Sequence, residues 1–215
     1  LRRENCTAQV WIASKLASGT VNSYAKGLAA VDNILQEIGT TYLDLVLIHS
    51  PKMGKDKAIA VWKALIDAKK AGKVRAIGVS NFNEGEIKDL VDNTGELPEV
   101  NQIQYHPWSS PAWHAAVAAW AGQGVVVTAY NSLGGARFAT SGLAGTAVAR
   151  IAQERGLTVN AVLLGWARAK GCAVIPGSST PAHIAENLQT IEQLTPSDVR
   201  AIDASAAPDG WWSPR

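Results

Sequence analysis

Short apolar runs alternate along the chain with longer stretches that repeat every three to four residues. The runs are VWIAS (10–14), LDLVLI (43–48), VRAIGV (74–79), EVNQIQ (99–104), VVVTAY (125–130) and AVIP (173–176). They are short, rich in β-branched residues and bounded by turn-forming segments, which predicts buried strands. In VNSYAKGLAAVDNILQEIG (21–39), Leu28, Val31, Leu35 and Ile38 fall on one helical face. In DKAIAVWKALIDAKKAGK (56–73), Ile59, Trp62, Leu65 and Ile66 do the same, and Gly72 suits the position just past a helix end. Two helices are expected between Leu143 and Gly171, broken near Gly156 and Leu157. Thr180-Pro181 and Thr195-Pro196 each combine an N-cap with proline at the first helical position.

Strands alternating with helices imply parallel pairing through right-handed crossovers. The strands are nearly apolar throughout, so both faces are expected to be covered. The spacing of about 30 residues is that of one βα unit, and six units fit. A doubly wound open sheet and a (β/α)₈ barrel both satisfy this pattern. No G-x-G-x-x-G follows any strand, and Gly134-Gly135 lacks that spacing. This weighs against a dinucleotide-binding open sheet. The chain reads as one domain, 1–215.

Charge narrows the classes further. Lys and Arg total 20 against 18 Asp and Glu, a net charge of +2 with no dense basic cluster. This argues against a nucleic-acid partner. No apolar run approaches the ~20 residues of a membrane span. Cys6 and Cys172 are far apart and predict two reduced thiols in a cytoplasmic protein. No signal peptide is evident. His106, His114 and His183 lack metal-ligand spacing, and no metal site is expected.

The polar residues cluster at the predicted strand ends: Ser14-Lys15, His49-Ser50, Ser80-Asn81, Gln102 with Gln104-Tyr105-His106, Tyr130-Asn131 and Gly177-Ser178-Ser179. The C-terminal tips of parallel strands meet in one place, and in a barrel that place is the catalytic face. Each residue alone has a plainer reading: His49 as a satisfied structural group, Lys15 as a solvated lysine, Tyr130 as a packed aromatic.

The series SKL, LDLVLIHSP, GKVRAIGVSNF, VNQIQYHPW, VVVTAYNSLGG and VIPGSS…IAEN resembles the aldo-keto reductases in order and spacing, from about Val10 to Trp212. The resemblance implies a (β/α)₈ TIM barrel that binds NADP(H), with NAD(H) as the second candidate. It implies reduction of small-molecule aldehydes and ketones by hydride transfer, in a monomer or weak oligomer. His49 matches the family histidine that hydrogen-bonds the substrate carbonyl, and Lys15 the lysine beside a catalytic tyrosine. Ser80, Asn81 and Gln102 match the residues that hold the nicotinamide carboxamide. Tyr130 matches the aromatic that stacks on its ring, and Asn131 and Leu133 begin the loop along the pyrophosphate. Ser178, Ser179 and His183 fall where the adenosine phosphate is bound, and Glu186 and Asn187 where the adenosine end is held. Trp108 and Trp211 are placed as walls of the substrate pocket, with ordinary packing as the alternative. Gly177 and His183 stand where the family commonly carries a lysine and an arginine, which implies weak discrimination for NADPH over NADH.

The family's first two strands, with an aspartate and the tyrosine acid, have no counterpart here. The chain opens on Leu1, and LRRENCTAQV reads as the tail of the second helix and its loop. Tyr24, Tyr42 and Tyr105 sit at the wrong places in the order. The expectation is therefore an N-terminally incomplete barrel with about six of eight units. Two readings compete with the reductase: a non-catalytic cofactor-binding remnant, and a Schiff-base aldolase using Lys15. The carboxamide-binding set speaks against the aldolase.

Overall fold

The computed structural model describes residues 10–134, 143–189 and 194–208. The chain divides into two compact units, Leu1–Gln102 and Ile103–Arg215. The first contains β1 (Ala13–Leu16), α1 (Tyr24–Ile38), β2 (Leu43–Ile48), α2 (Lys55–Lys70), β3 (Val74–Ser80), α3 (Glu84–Thr94) and most of β4 (Val100–Gln104). Its strands pair in parallel, neighbour to neighbour. The register sets Lys15 beside Leu47, Leu47 beside Gly78, Gly78 beside Val100, and Ser80 beside Gln102.

Alternate residues of a strand share a face. One face of this sheet therefore carries Ala13, Lys15, Leu45, Leu47, Ala76, Gly78, Ser80, Val100 and Gln102, and Leu45, Leu47, Val100 and Ala76 pack together on it. Val46, Ile48, Ile77 and Val79 face the other way and are fully buried. Asp44, the one acid in its strand, is only 2% exposed. It is satisfied by the Ile12 N–H at 2.8 Å and the Arg75 guanidinium at 2.8 Å. Arg75 in turn lies 4.0 Å over the Tyr42 ring. A buried carboxylate needs such partners to offset its lost hydration.

The second unit holds the last two residues of β4, then α4 (Pro111–Gly122), β5 (Val126–Tyr130), α5 (Ala147–Arg155), α6 (Val159–Ala169), β6 (Ala173–Val174), α7 (Pro181–Gln189) and α8 (Pro196–Asp203). β5 and β6 pair in parallel, Thr128 with Ala173 and Ala129 with Val174. The break between α5 and α6 falls at Gly156 in left-handed conformation. α8 opens on a Thr195–Asp198 capping box with Pro196 in the first turn. Trp120 and Trp166 are buried here, as Trp62 is in the first unit.

Two boundaries and one helix face depart from expectation. β1 begins at Ala13, so Lys15 lies inside the strand rather than beyond it. Trp11 is 64% exposed, and the Ile12 N–H is spent on the Asp44 carboxylate. β6 ends at Val174, because Pro176 has no N–H to continue a ladder. Ile38 is 43% exposed, while Gly27 is buried against α2, where an added Cβ would lie 2.7 Å from Ala64 Cβ. The close helix crossing selects a glycine that an apolar pattern cannot register.

Candidate active site

In the first unit the strand ends assemble a connected polar set. Gln102 and Ser80 are neighbours across β3 and β4, and the Ser80 hydroxyl donates to the Gln102 carbonyl at 2.8 Å. Asn81 follows at φ 63°, a left-handed conformation that asparagine tolerates better than other side-chain-bearing residues. Its amide Nδ2 donates to Ser80 Oγ at 3.0 Å and to the His49 carbonyl at 3.3 Å, and its backbone N–H to the Gln102 carbonyl at 3.0 Å. The His49 N–H is held by the Leu16 carbonyl at 3.1 Å, and its side chain is exposed.

Lys15 Nζ donates to Gln102 Oε1 at 2.5 Å. On a flat sheet β1 and β4 would stand ~14 Å apart, three spacings of about 4.8 Å. Side chains rising from such a sheet could not meet, so these strands curl towards the face that bears them. On the same face Gly78 sits between Leu47 and Val100. A Cβ there would strike the Val100 carbonyl and lie 2.7 Å from Leu47 Cδ2. Although Lys15 is exposed overall, partial burial of its ammonium lowers its pKa below the ordinary lysine value. The contact also orients Gln102: with Oε1 committed to Lys15, the amide Nε2 is left as donor. Ser80 Oγ keeps one acceptor lone pair. A donor beside an acceptor is what a carboxamide ligand requires.

In the second unit Ala129, Tyr130, Asn131, Ser132, Leu133, Leu164, Ile175, Pro176 and Gly177 line a cavity of about 410 Å³ at the ends of β5 and β6. Asn131, at φ 52°, turns the chain out of β5 just as Asn81 does after β3. Beyond Gly177, Ser178, Ser179 and His183 are exposed on the approach to α7 and its first turn. Ser178 Oγ accepts from the Thr180 N–H at 3.1 Å. Glu186 is hydrogen-bonded to Thr158, the N-cap of α6, and Asn187 follows it on α7. Trp108, in the turn after β4, is half-buried and donates from Nε1 to Ser205 Oγ at 3.3 Å. Trp211 lies outside the described residues.

Three tyrosines are committed elsewhere. Tyr24 donates to Asp67 at 2.8 Å, Tyr42 lies under Arg75, and Tyr105 is buried with its hydroxyl 2.9 Å from His114 Nδ1. Burial raises the Tyr105 pKa further. Residues the pattern missed are Gly78, which lets β3 lie close against Leu47 and the Val100 carbonyl, and the cavity-lining Ser132, Leu164 and Ile175. A glycine inside an otherwise apolar strand was a readable signal for close approach. Leu164, one more apolar position in a buried helix, offered none.

The aldo/keto reductase family model matches residues 2–207. An aldo-keto reductase of Mycobacterium sp. (strain MCS) is 34% identical over 196 residues, 91% of this chain and 67% of that protein. The crystal structure of the aldo/keto reductase from Brucella melitensis is 32% identical, with a TM-score of 0.80 over 92% of this chain and 74% of that one. The Bombyx mori aldo-keto reductase, solved in complex with NADP, is 28% identical, with a TM-score of 0.80 over 92% of this chain and 68% of its own. The chain spans about two thirds of the length of the curated relatives it matches. The α/β architecture of parallel strands and intervening helices is that of these TIM-barrel-type neighbours. With the match running from residue 2 to 207 and the strand-end motifs in family order, this chain belongs to the aldo/keto reductase family.

Proposed function

We propose that this chain carries the nicotinamide-cofactor and carbonyl-activating residues of an NAD(P)H-dependent oxidoreductase that reduces small aldehydes or ketones in the cytoplasm, as a monomer or weak oligomer. The observation that carries the reading is the linked set Lys15, Gln102, Ser80 and Asn81, whose amide and hydroxyl groups match a carboxamide in donors and acceptors. In this reading Ser80, Asn81 and Gln102 hold the carboxamide. Tyr130 stacks on the ring, and Asn131 and Leu133 follow the pyrophosphate. Ser178, Ser179, His183, Glu186 and Asn187 serve the adenosine end, and Trp108 and Trp211 wall the substrate pocket. NADP complexes of similar proteins support the cofactor class. When bound, that cofactor supplies the hydride. The residues of this chain do the rest. Lys15 places positive charge beside the reacting carbonyl. His49 donates a hydrogen bond to the carbonyl oxygen, which is worth most as that oxygen gains charge.

A second reading, cofactor binding without turnover, is supported by the engagement of Tyr24, Tyr42 and Tyr105 away from Lys15. One experiment separates the two. Tryptophan quenching by NADPH and NADH measures binding, and a panel of aldehydes measures turnover. The reductase reading expects saturable quenching and turnover that His49→Ala lowers by ~10²-fold or more, with cofactor affinity unchanged. Quenching without turnover favours the binding module. No quenching by either nucleotide rejects both.

A further inference from the structure

The indole of Trp108 is held at both ends of its reach. Its backbone belongs to a tight turn in which the His106 N–H donates to Ser109 Oγ at 3.0 Å and the Ser109 N–H returns to the His106 carbonyl at 3.0 Å. Its tip donates to Ser205, 97 residues along the chain. The Ser205 hydroxyl in turn donates to the Ile202 carbonyl at 2.7 Å. The chain Trp108 Nε1–H to Ser205 Oγ–H to Ile202 O is therefore complete in donors and acceptors, and it points the serine lone pair at the indole.

The far end of this chain is rigid. Ser205 follows directly on the C-cap of α8, and Ile202 is fully buried. Arg155 pairs with Asp198 at 2.6 Å in the first turn of α8. Trp166 Nε1 and Lys170 Nζ both bind Asp203 in its last turn, at 2.8 and 2.5 Å. A helix fixed at both ends is a firm mount. A tryptophan has only two side-chain torsions, so one hydrogen bond at its tip, added to a fixed backbone, selects a single orientation.

We infer that Ser205 is a positioning residue: it holds the Trp108 indole from α8 and so sets the shape of the pocket wall that Trp108 presents to the substrate. The inference rests on the proposed reading of Trp108 as that wall. It predicts selectivity for flat aromatic carbonyls, which need an ordered wall, over short aliphatic ones, which do not.

The test uses the full chain loaded with NADPH, in the forms Ser205→Ala, Ser205→Thr, Trp108→Phe and the Ser205→Ala/Trp108→Phe double. Ser205→Ala should raise KM for benzaldehyde about five-fold, the worth of one ordinary hydrogen bond. KM for propanal, kcat and NADPH affinity should stay unchanged. Ser205→Thr should restore the KM, and Trp108→Phe should abolish the effect of Ser205→Ala. The indole N–H resonance of Trp108, identified by its loss in Trp108→Phe, should exchange faster with solvent in Ser205→Ala and not in Ser205→Thr. Dissociation constants for benzyl alcohol and 1-propanol on the NADP⁺-loaded protein give the same comparison without turnover. An unchanged resonance and unchanged aromatic preference in Ser205→Ala overturn the inference while leaving the wall reading intact, provided that Trp108→Phe shifts that preference. If Trp108→Phe leaves the preference unchanged, the wall reading fails and the inference with it.

Discussion

His106 shows how one buried side chain gives the stability of the whole unit a pH dependence. Gln104 Nε2 can only donate, so at 3.3 Å it requires His106 Nε2 to be unprotonated. Burial then pushes the His106 pKa down to about 4, with the nearby His114 acting in the same direction. The unfolded chain takes up this proton near pH 6.5, the folded chain only near pH 4. Between those values the unfolded state binds more protons, so stability falls as pH falls. The loss attributable to His106 should approach ~3 kcal/mol by pH 4. Urea midpoints at pH 7.0, 5.5 and 4.5 should decline, and His106→Gln should flatten part of that decline. A decline of equal slope in His106→Gln would show that other groups carry it. Cys172 is the complementary case. Burial raises its thiol to about 12, which makes it a core residue and no nucleophile.

Among the elements, β3 is tightly constrained at Gly78. Its register puts Gly78 between Leu47 of β2 and Val100 of β4, with no room for a methyl group against the Val100 carbonyl. The obstacle is backbone, which cannot move aside as a flexible side chain can. Gly78→Ala should therefore cost about 3 kcal/mol, the upper range for overpacking, read as a lowered urea midpoint with unchanged slope. It should also weaken NADPH binding, because spreading β3 from β4 separates Ser80 and Lys15 from Gln102. A midpoint within error of the parent would mean that the sheet is looser here than the geometry indicates. The same element explains the polar face. Ser80 and Gln102 are neighbours because β3 and β4 run parallel in that register, and a slip of one strand by one residue would put them on opposite faces.

For the molecule as a whole, charge placement bears on which nucleotide it takes. Residues 175–189 contain no lysine or arginine. Of the cations nearby in sequence, Arg150 is paired with Glu154, Arg155 with Asp198 and Lys170 with Asp203, while Arg168 is exposed in the last turn of α6. In the proposed reading a 2′-phosphate would meet hydroxyls, His183 and the N-terminus of α7, which attracts anions without selecting strongly among them. The ratio of KM for NADH to that for NADPH should stay below ~100, or less than ~2.7 kcal/mol from the phosphate. A larger ratio would mean that a cation such as the exposed Arg168 of α6 reaches the phosphate. No helix among the described residues is long and apolar enough to cross a membrane. The alternation of strands and helices, the Gly156 break, the Thr195 cap and the apolar face that carries Trp62 were all legible in the sequence, because each depends on neighbours a few residues away. So were the residue types at the strand ends. The start of β1 was not, since a carboxylate on β2 took the N–H that would have extended it. Only the tertiary structure decided that Lys15 meets Gln102 across 87 residues and Trp108 meets Ser205 across 97. Local propensity and burial choose what each segment becomes. Register and sheet curvature choose which distant side chains touch, and both arise from the packing of all the strands at once.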